Sequence, residues 1–416
     1  MVRHGRFLAA ALLLASGMSA RGQEPAEPCA FLSANESFGI NLLTEVHAQN
    51  PDKNTVVAPL PVSLAFAALE DNISDGRARE EILKTFYWEK TSYLGGSGKM
   101  LLARFAKPKP RPIPAKQPTD IGSRLMALMA HGDPQELWLT ATFLYRDTGA
   151  ISKEFIDNVK EDFALEFRPV GIRAKQSAAI AQSWDPAVPM PHLTGNNDFW
   201  ISSATHLRTA WAGNTFVGVK REKATFTLAS GTNEEVDFLK SELSDYHHVL
   251  TKEFEALTLK GVYASIVFVL PRPGKSISEL EKELGNNTEK IQGTLRLEIG
   301  DVQMPPFHFA YETNLRDSLE KLGVRRVFED MESLKSIAPR TGASLQGVQQ
   351  KTTITVDETG IRADSGTVVT GVLGGILGGQ YQPFHMVLDR PFLFFIRDNV
   401  TEALLFAGVV MDPLQE

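Results

Sequence analysis

Apolar and polar residues alternate along Lys351–Glu358 (KTTITVDE), and its Thr, Ile and Val content predicts a half-buried β-strand. Farther on, Val387–Pro413 (VLDRPFLFFIRDNVTEALLFAGVVMDP) reads as two apolar strands around a polar turn, Arg397-Asp398-Asn399. Ser265–Leu270, Leu295–Ile299, Phe307–Tyr311 and Leu404–Val410 carry further strand patterns. Helical spacing occurs earlier and between them. Asn35 is placed to cap a helix with Phe38, Leu42 and Val46 on one face. Ser276 and Glu279 form a capping-box pattern ahead of Leu280 and Leu284. Asn314 opens a helix carrying Leu315, Leu319 and Leu322, which Gly323 stops. Helices come early and strands late, so the pattern predicts an α+β chain rather than regular βα alternation.

The 25 residues from Thr359 to Pro383 (TGIRADSGTVVTGVLGGILGGQYQP) break this pattern. A loop of that length inside a compact domain is uncommon and usually functional. At a period of two, Ile361, Ala363, Ser365 and Thr367 share one face, and Arg362, Asp364 and Gly366 share the other. One face suits burial and the other suits water, yet Gly360, Gly366, Gly371, Gly374 and Gly375 weaken any permanent strand. The segment can become a strand without being committed to one. Gly371–Gly379 (GVLGGILGG) is too short to cross a bilayer and reads as a flexible tether.

Composition is that of a globular chain: 416 residues, 43% hydrophobic, 22% charged. No long polar linker divides it, which predicts one large domain. Met1–Gly22 orders Arg3 and Arg6, the apolar run Phe7–Ala15, and a cleavage site at Ala20-Arg21-Gly22, the layout of a secretory signal. Its removal takes away three arginines and no acid, making a chain of formal charge −7 more acidic still. Such a surface argues against nonspecific nucleic-acid binding. No other apolar run approaches a membrane span, so no membrane partner is expected. The single cysteine, Cys29, excludes an internal disulfide and leaves a free thiol able to pair between molecules. Enzyme signatures fail in turn. Gly95-Gly96-Ser97-Gly98 is followed by Lys99 where a nucleophile elbow needs glycine, and no phosphate loop is present. His247 and His248 are adjacent and face opposite sides of a strand, so no metal site is expected.

Several segments together carry a resemblance to the serpin family. VDETGIRADSGT (Val356–Thr367) resembles the hinge of a serpin reactive-centre loop, and MVLDRPFLFFI (Met386–Ile396) resembles the family's C-terminal signature. Asn54–Phe86, Ala141–Phe167, Tyr263–Leu284 and Arg296–Phe328 resemble further serpin segments, so the likeness runs over residues 33–413.

The resemblance implies a single α+β serpin domain of about nine helices and three β-sheets, with an exposed reactive-centre loop over about 358–383. A signal peptide (1–22) and a tail (23–32) precede it. It further implies a secreted monomer (periplasmic if bacterial) that is not an enzyme and needs no cofactor. Such a protein traps a serine or cysteine protease by inserting its cleaved loop into the main sheet. The alternative is a non-inhibitory serpin acting as a binding or carrier module. Carried over by position, the hinge is Glu358, Thr359 and Gly360, with Ile361, Ala363, Ser365 and Thr367 inward. The family interval puts the scissile bond at Gly374–Gly375, and a shift of one residue puts Leu373 there; Leu377 and Tyr381 are alternatives. Without Arg or Lys between Thr367 and Tyr381, the target is elastase-, chymotrypsin- or subtilisin-like. Lys107–Pro118 reads as an extended surface insertion whose few, interrupted charges, Lys107, Lys109, Arg111 and Lys116, suit a solvated spacer. The resemblance implies the alternative, a weak contact over 107–116 with an acidic polysaccharide of the kind some serpins bind nearby.

The sheet-opening region departs from the family pattern. Both serines of Ser-Pro-x-Ser are lost in Ala58-Pro59-Leu60-Pro61, and Gln350 stands where a histidine is usual. Ser203 with Gln350 is expected to rebuild part of the polar cluster beside Pro59.

Overall fold

A computed structural model describes residues 27–88, 137–146, 151–163, 165–170, 198–207, 209–213, 215–216, 220–286, 291, 293–340, 343–361, 382–399 and 401–415. These hold seven of the roughly nine expected helices: α1 (Glu27–His47), α2 (Pro59–Asn72), α3 (Gly76–Thr85), α4 (Lys153–Phe163), α5 (Ile277–Asn286), α6 (Arg316–Leu322) and α7 (Arg326–Glu329). The strands fall into three sheets. The largest contains β1 (Thr55–Val57), β6 (Glu222–Thr227), β7 (Asn233–Lys240), β8 (Ser244–Leu250), β9 (Phe254–Lys260), β10 (Ala264–Pro271), β11 (Arg296–Met304), β15 (Phe384–Val387), β16 (Phe392–Asp398) and β17 (Leu404–Val410). The second runs in the order β12 (Phe307–Asn314), β13 (Ser344–Val356), β4 (Asp198–Leu207), β2 (Leu137–Arg146), β3 (Glu166–Val170). The third is the short pair β5 (Thr209–Ala210) and β14 (Gly360–Ile361).

Every residue of β16 and β17 is buried. A strand covered on both faces reads as a continuous apolar run, which is why no alternation shows there. Helices α1 and α2 lie close to each other and to β17. Their approach depends on Gly39, where a Cβ would stand 2.7 Å from Cγ of Pro59. Phe86 continues this core, with the rings of Phe38, Phe66 and Trp88 stacked around it at centroid distances of 4.2, 4.9 and 4.9 Å.

Three expectations need correction. Asn35 does not cap a helix: α1 starts at Glu27, so residues 27–32 of the expected tail are helical. The Asn35 side chain is buried, donates to the Leu404 carbonyl at 3.0 Å and accepts from Ser63 Oγ at 2.9 Å. Second, Arg397 and Asp398 belong to β16 and are buried. Arg397 pairs with Glu36 at 2.6 Å, while the Asp398 carboxylate accepts from the Thr401 N–H and hydroxyl, so the turn begins after Asp398. Third, β13 begins at Ser344, seven residues before the predicted start, because its earlier half pairs with β4 rather than ending in a loop. The capping box forms as read: Glu279 accepts from the Ser276 N–H at 2.8 Å, and Ser276 Oγ accepts from the Glu279 N–H at 3.2 Å.

Candidate functional site

The second sheet contains a parallel seam. β13 and β4 pair from Ser344↔Asp198 to Thr353↔His206, with Gln350↔Ser203 and Thr352↔Thr205 among the partners. Residues two apart share a face, so Val348, Gln350, Thr352, Ile354 and Val356 are buried while the residues between them are partly exposed.

Gln350 ties this seam to the start of α2. Its Oε1 accepts from the Ala58 N–H at 2.9 Å, and its Nε2 donates to the Ala58 carbonyl at 2.8 Å and to Ser203 Oγ at 3.1 Å. Ala58 is the residue before α2 and has no side chain to cap it. Pro59 and Pro61 have no N–H, so two of the helix's unpaired donors are absent from the start. The Gln350 carboxamide binds the backbone of Ala58 itself, and one side chain thereby joins β13, β4 and α2.

The pairing of β13 with β4 ends at Thr353 and His206, and beyond it Gly360 pairs with Asp357 on one side and Ala210 on the other. Asp357 and Gly360 exchange backbone bonds, Asp357 N–H to Gly360 O at 3.0 Å and Gly360 N–H to Asp357 O at 3.3 Å, which closes a hairpin over Glu358-Thr359. The Asp357 carboxylate accepts from the Thr359 N–H at 2.8 Å and from its hydroxyl at 2.6 Å. Trp211 Nε1 donates to the Asp357 carbonyl at 2.9 Å. The returning strand β14 runs antiparallel to β5, pairing Gly360↔Ala210 and Ile361↔Thr209. Ile361 is fully buried. Gly360 has a reason beyond freedom of movement: at φ +140°, a Cβ would lie 2.2 Å from the Thr209 carbonyl oxygen.

Glu358 sits on the outside of the turn, its carboxylate held by Arg221 at 2.7 and 3.0 Å. Partial burial opposes ionisation of this carboxyl, but the Arg221 guanidinium outweighs it and lowers the Glu358 pKa, while Arg221 is raised by the same bond. Both side chains are more than a third exposed, which limits the pair's energetic weight.

The other end of the loop is anchored by β15, parallel to β11 with Gly300↔Phe384 and Asp301↔His385. Phe384 stacks on His248, whose Nδ1 faces Glu298 at 2.7 Å and Nε2 faces Glu255 at 3.0 Å. Burial alone lowers the His248 pKa, but the two carboxylates outweigh it and raise the value.

Gln350 and Ser203, with Ala58-Pro59 beside them, thus lie within the seam, and Glu358, Thr359, Gly360 and Ile361 lie beyond its Thr353–His206 end. Ala363, Ser365, Thr367, Leu373, Gly374, Gly375, Leu377 and Tyr381 lie outside the described residues, as do the signal segment and the basic stretch 107–116. The Cys29 side chain is also outside them. Sequence reading assigned no role to Arg221, Thr205 or Thr352, because their placement depends on strand register. Among the described residues no helix is long and apolar enough to cross a membrane, and no group of three or more His, Cys, Asp and Glu side chains is placed to hold a metal.

A model of the family described as Serpin (serine protease inhibitor) matches residues 33–413. The chain belongs to the serpin family. It is 24% identical over 402 residues to a serine protease inhibitor of Mus musculus, covering 94% of this chain and 90% of that protein. It is 23% identical over 402 residues to Thyroxine-binding globulin of Mus musculus, covering 92% and 89%. The crystal structure of native protease nexin-1 with heparin superposes with a TM-score of 0.72 at 19% identity, over 93% of this serpin and all of that chain. Relatives named for protease inhibition and for binding a small ligand both share this fold.

Proposed function

We propose that this serpin is a secreted suicide inhibitor of serine endopeptidases of the elastase, chymotrypsin or subtilisin type. The protease serine attacks an exposed loop bond, forms an ester with the loop carbonyl and releases the new amino terminus. The freed hinge then continues β14 between β13 and β4, and the tethered protease is pulled out of catalytic geometry. Misplacement by about 1 Å already costs on the order of a hundredfold in rate.

The observation that carries this reading is a match of registers. The hairpin pair Asp357↔Gly360, extended, sets Ala363 against Ile354, Thr367 against Gln350 and Val369 against Val348. The pair Ile361↔Thr209, extended, sets the same residues against Leu207, Ser203 and Ile201. Gln350↔Ser203 and Val348↔Ile201 are themselves partners across the closed seam, so both edges call for one register. Apolar residues of the loop then meet apolar residues of the seam, and Thr367 meets its polar step. The alternating burial that insertion demands is met without a charge or proline on the inward face.

Target class follows from the loop's Leu and Gly content and its lack of Arg or Lys between Thr367 and Tyr381. A weak contact of residues 107–116 with acidic polysaccharide belongs to the same proposal, as does a cysteine protease as second target. The competing reading, a binding or carrier module, is supported by the likeness to thyroxine-binding globulin. Incubation with elastase, chymotrypsin and subtilisin, followed by denaturing gel electrophoresis, separates the two. A detergent-resistant complex supports the inhibitor; complete cleavage without one supports the module.

A further inference from the structure

Thr205 and Thr352 are buried, and neither hydroxyl has a hydrogen-bond partner among the described residues. They are register partners across the β13–β4 seam, one step above the Gln350–Ser203 bond. Buried hydroxyls are normally paired, and one left unpaired loses its hydration without compensation. Two such groups facing one seam form a defect that the closed sheet does not repair.

Both gap edges identify the residue that repairs it. Extending Asp357↔Gly360 along β13 brings Ser365 opposite Thr352. Extending Ile361↔Thr209 along β4 brings Ser365 opposite Thr205. The two counts are independent and agree. We propose that Thr205 and Thr352 form a hydroxyl socket for Ser365, so that the closed sheet is held short of two hydrogen bonds that only the inserted loop supplies. A serine hydroxyl has one proton to donate and lone pairs to accept with, so it donates to one threonine and accepts from the other. The inserted strand would run antiparallel to both neighbours, and directly opposed residues of antiparallel strands hold their Cβ atoms about 4.5–5.5 Å apart, a spacing at which Thr and Ser hydroxyls bond. Across the parallel β13–β4 pair, by contrast, the two threonines leave each other unbonded.

The inference rests on the insertion reading and adds to it a chemical requirement. Alanine or valine at 365 satisfies a demand for a small or apolar inward residue, but only a hydroxyl satisfies this socket. In the intact protein the socket favours opening, because closure leaves both threonines unpaired.

The test is a double-mutant cycle between Ser365→Ala and the pair Thr205→Val with Thr352→Val, read as guanidinium midpoints of intact and loop-cleaved protein. Valine keeps the shape of threonine and removes the hydroxyl. The valine pair should raise the midpoint of the intact form and lower that of the cleaved form. Ser365→Ala should leave the intact form unchanged and lower the cleaved one. Combining the two should cost the cleaved form little more than either alone. Additive losses, or no loss from Ser365→Ala while cleaved wild type still gains stability, overturn the socket and leave insertion standing. If cleaved wild type gains nothing, insertion itself fails, and the socket with it.

Discussion

Phe384 lies face to face with His248, ring centroids 3.8 Å apart and planes 3° from parallel. The stack fixes the first residue of β15 on β11, and Gly300 makes room for it, since a Cβ there would stand 2.3 Å from the Phe384 ring. The C-terminal end of the loop is therefore held by a platform of ring, imidazole and bare backbone. Replacing Gly300 with Ala should unseat Phe384 and loosen β15, at a cost of about 1–3 kcal/mol. Amide hydrogen exchange checks it: protection of residues 384–387 should fall while that of β16 and β17 stays as it is.

The same platform carries a pH dependence. The folded pKa of His248 is raised above its ordinary 6.5 by Glu255 and Glu298, which overcome burial. Its stabilising contribution is therefore complete below the unfolded value and is lost as pH rises through the folded one. Neighbouring His247 is lowered by burial and by Lys260, so it acts with the opposite sign and costs stability as pH falls below its unfolded value. Arg272, 3.8 Å from Glu255, competes for one of the two carboxylates. Thermal melting from pH 6 to pH 9 should show a decline toward alkaline pH in wild type that His248→Gln removes. An unchanged slope in that variant would assign the decline elsewhere.

Gln350 supports the closed seam through three bonds. Its replacement by Ala strands the buried N–H and C=O of Ala58 and unties Ser203, which predicts a loss of about 2–4 kcal/mol from the intact form. Urea unfolding of the intact protein measures this. By contrast, the exposed Arg221–Glu358 pair should contribute less than about 1 kcal/mol, so Glu358→Gln should move the urea midpoint only slightly.

In the proposed insertion, Thr367 is the inward residue that meets the Gln350–Ser203 step. Thr367→Arg places a charge against buried polar groups that have no carboxylate to meet it, which should stop insertion at that step. The variant should be cleaved at the wild-type rate yet yield no gel-stable complex. Complex formation at the wild-type level would contradict the register.

Much of this was legible in the chain, for identifiable reasons. Ser276 and Glu279 interact three residues apart, so their capping box could be read locally. The period of two over Lys351–Glu358 signalled β13, although its first half was missed because Ser344–Gln350 is polar on its open face. Asn35 misled, since a residue type that caps helices is used here to reach Leu404 through the core. Arg397 and Asp398 misled similarly: charged residues in a buried strand look like a turn until Glu36 and Thr401 are known to meet them. The unpaired hydroxyls of Thr205 and Thr352 had no local signal at all, because their meeting depends on a register between segments far apart in sequence.

Thermal melting of the protein before and after a single loop cleavage tests the central claim most directly. If the hinge continues β14 down the seam, the nicked protein melts far above the intact one, because a new central strand has been paired on both sides. A nicked protein that melts at or below the intact temperature would contradict the account.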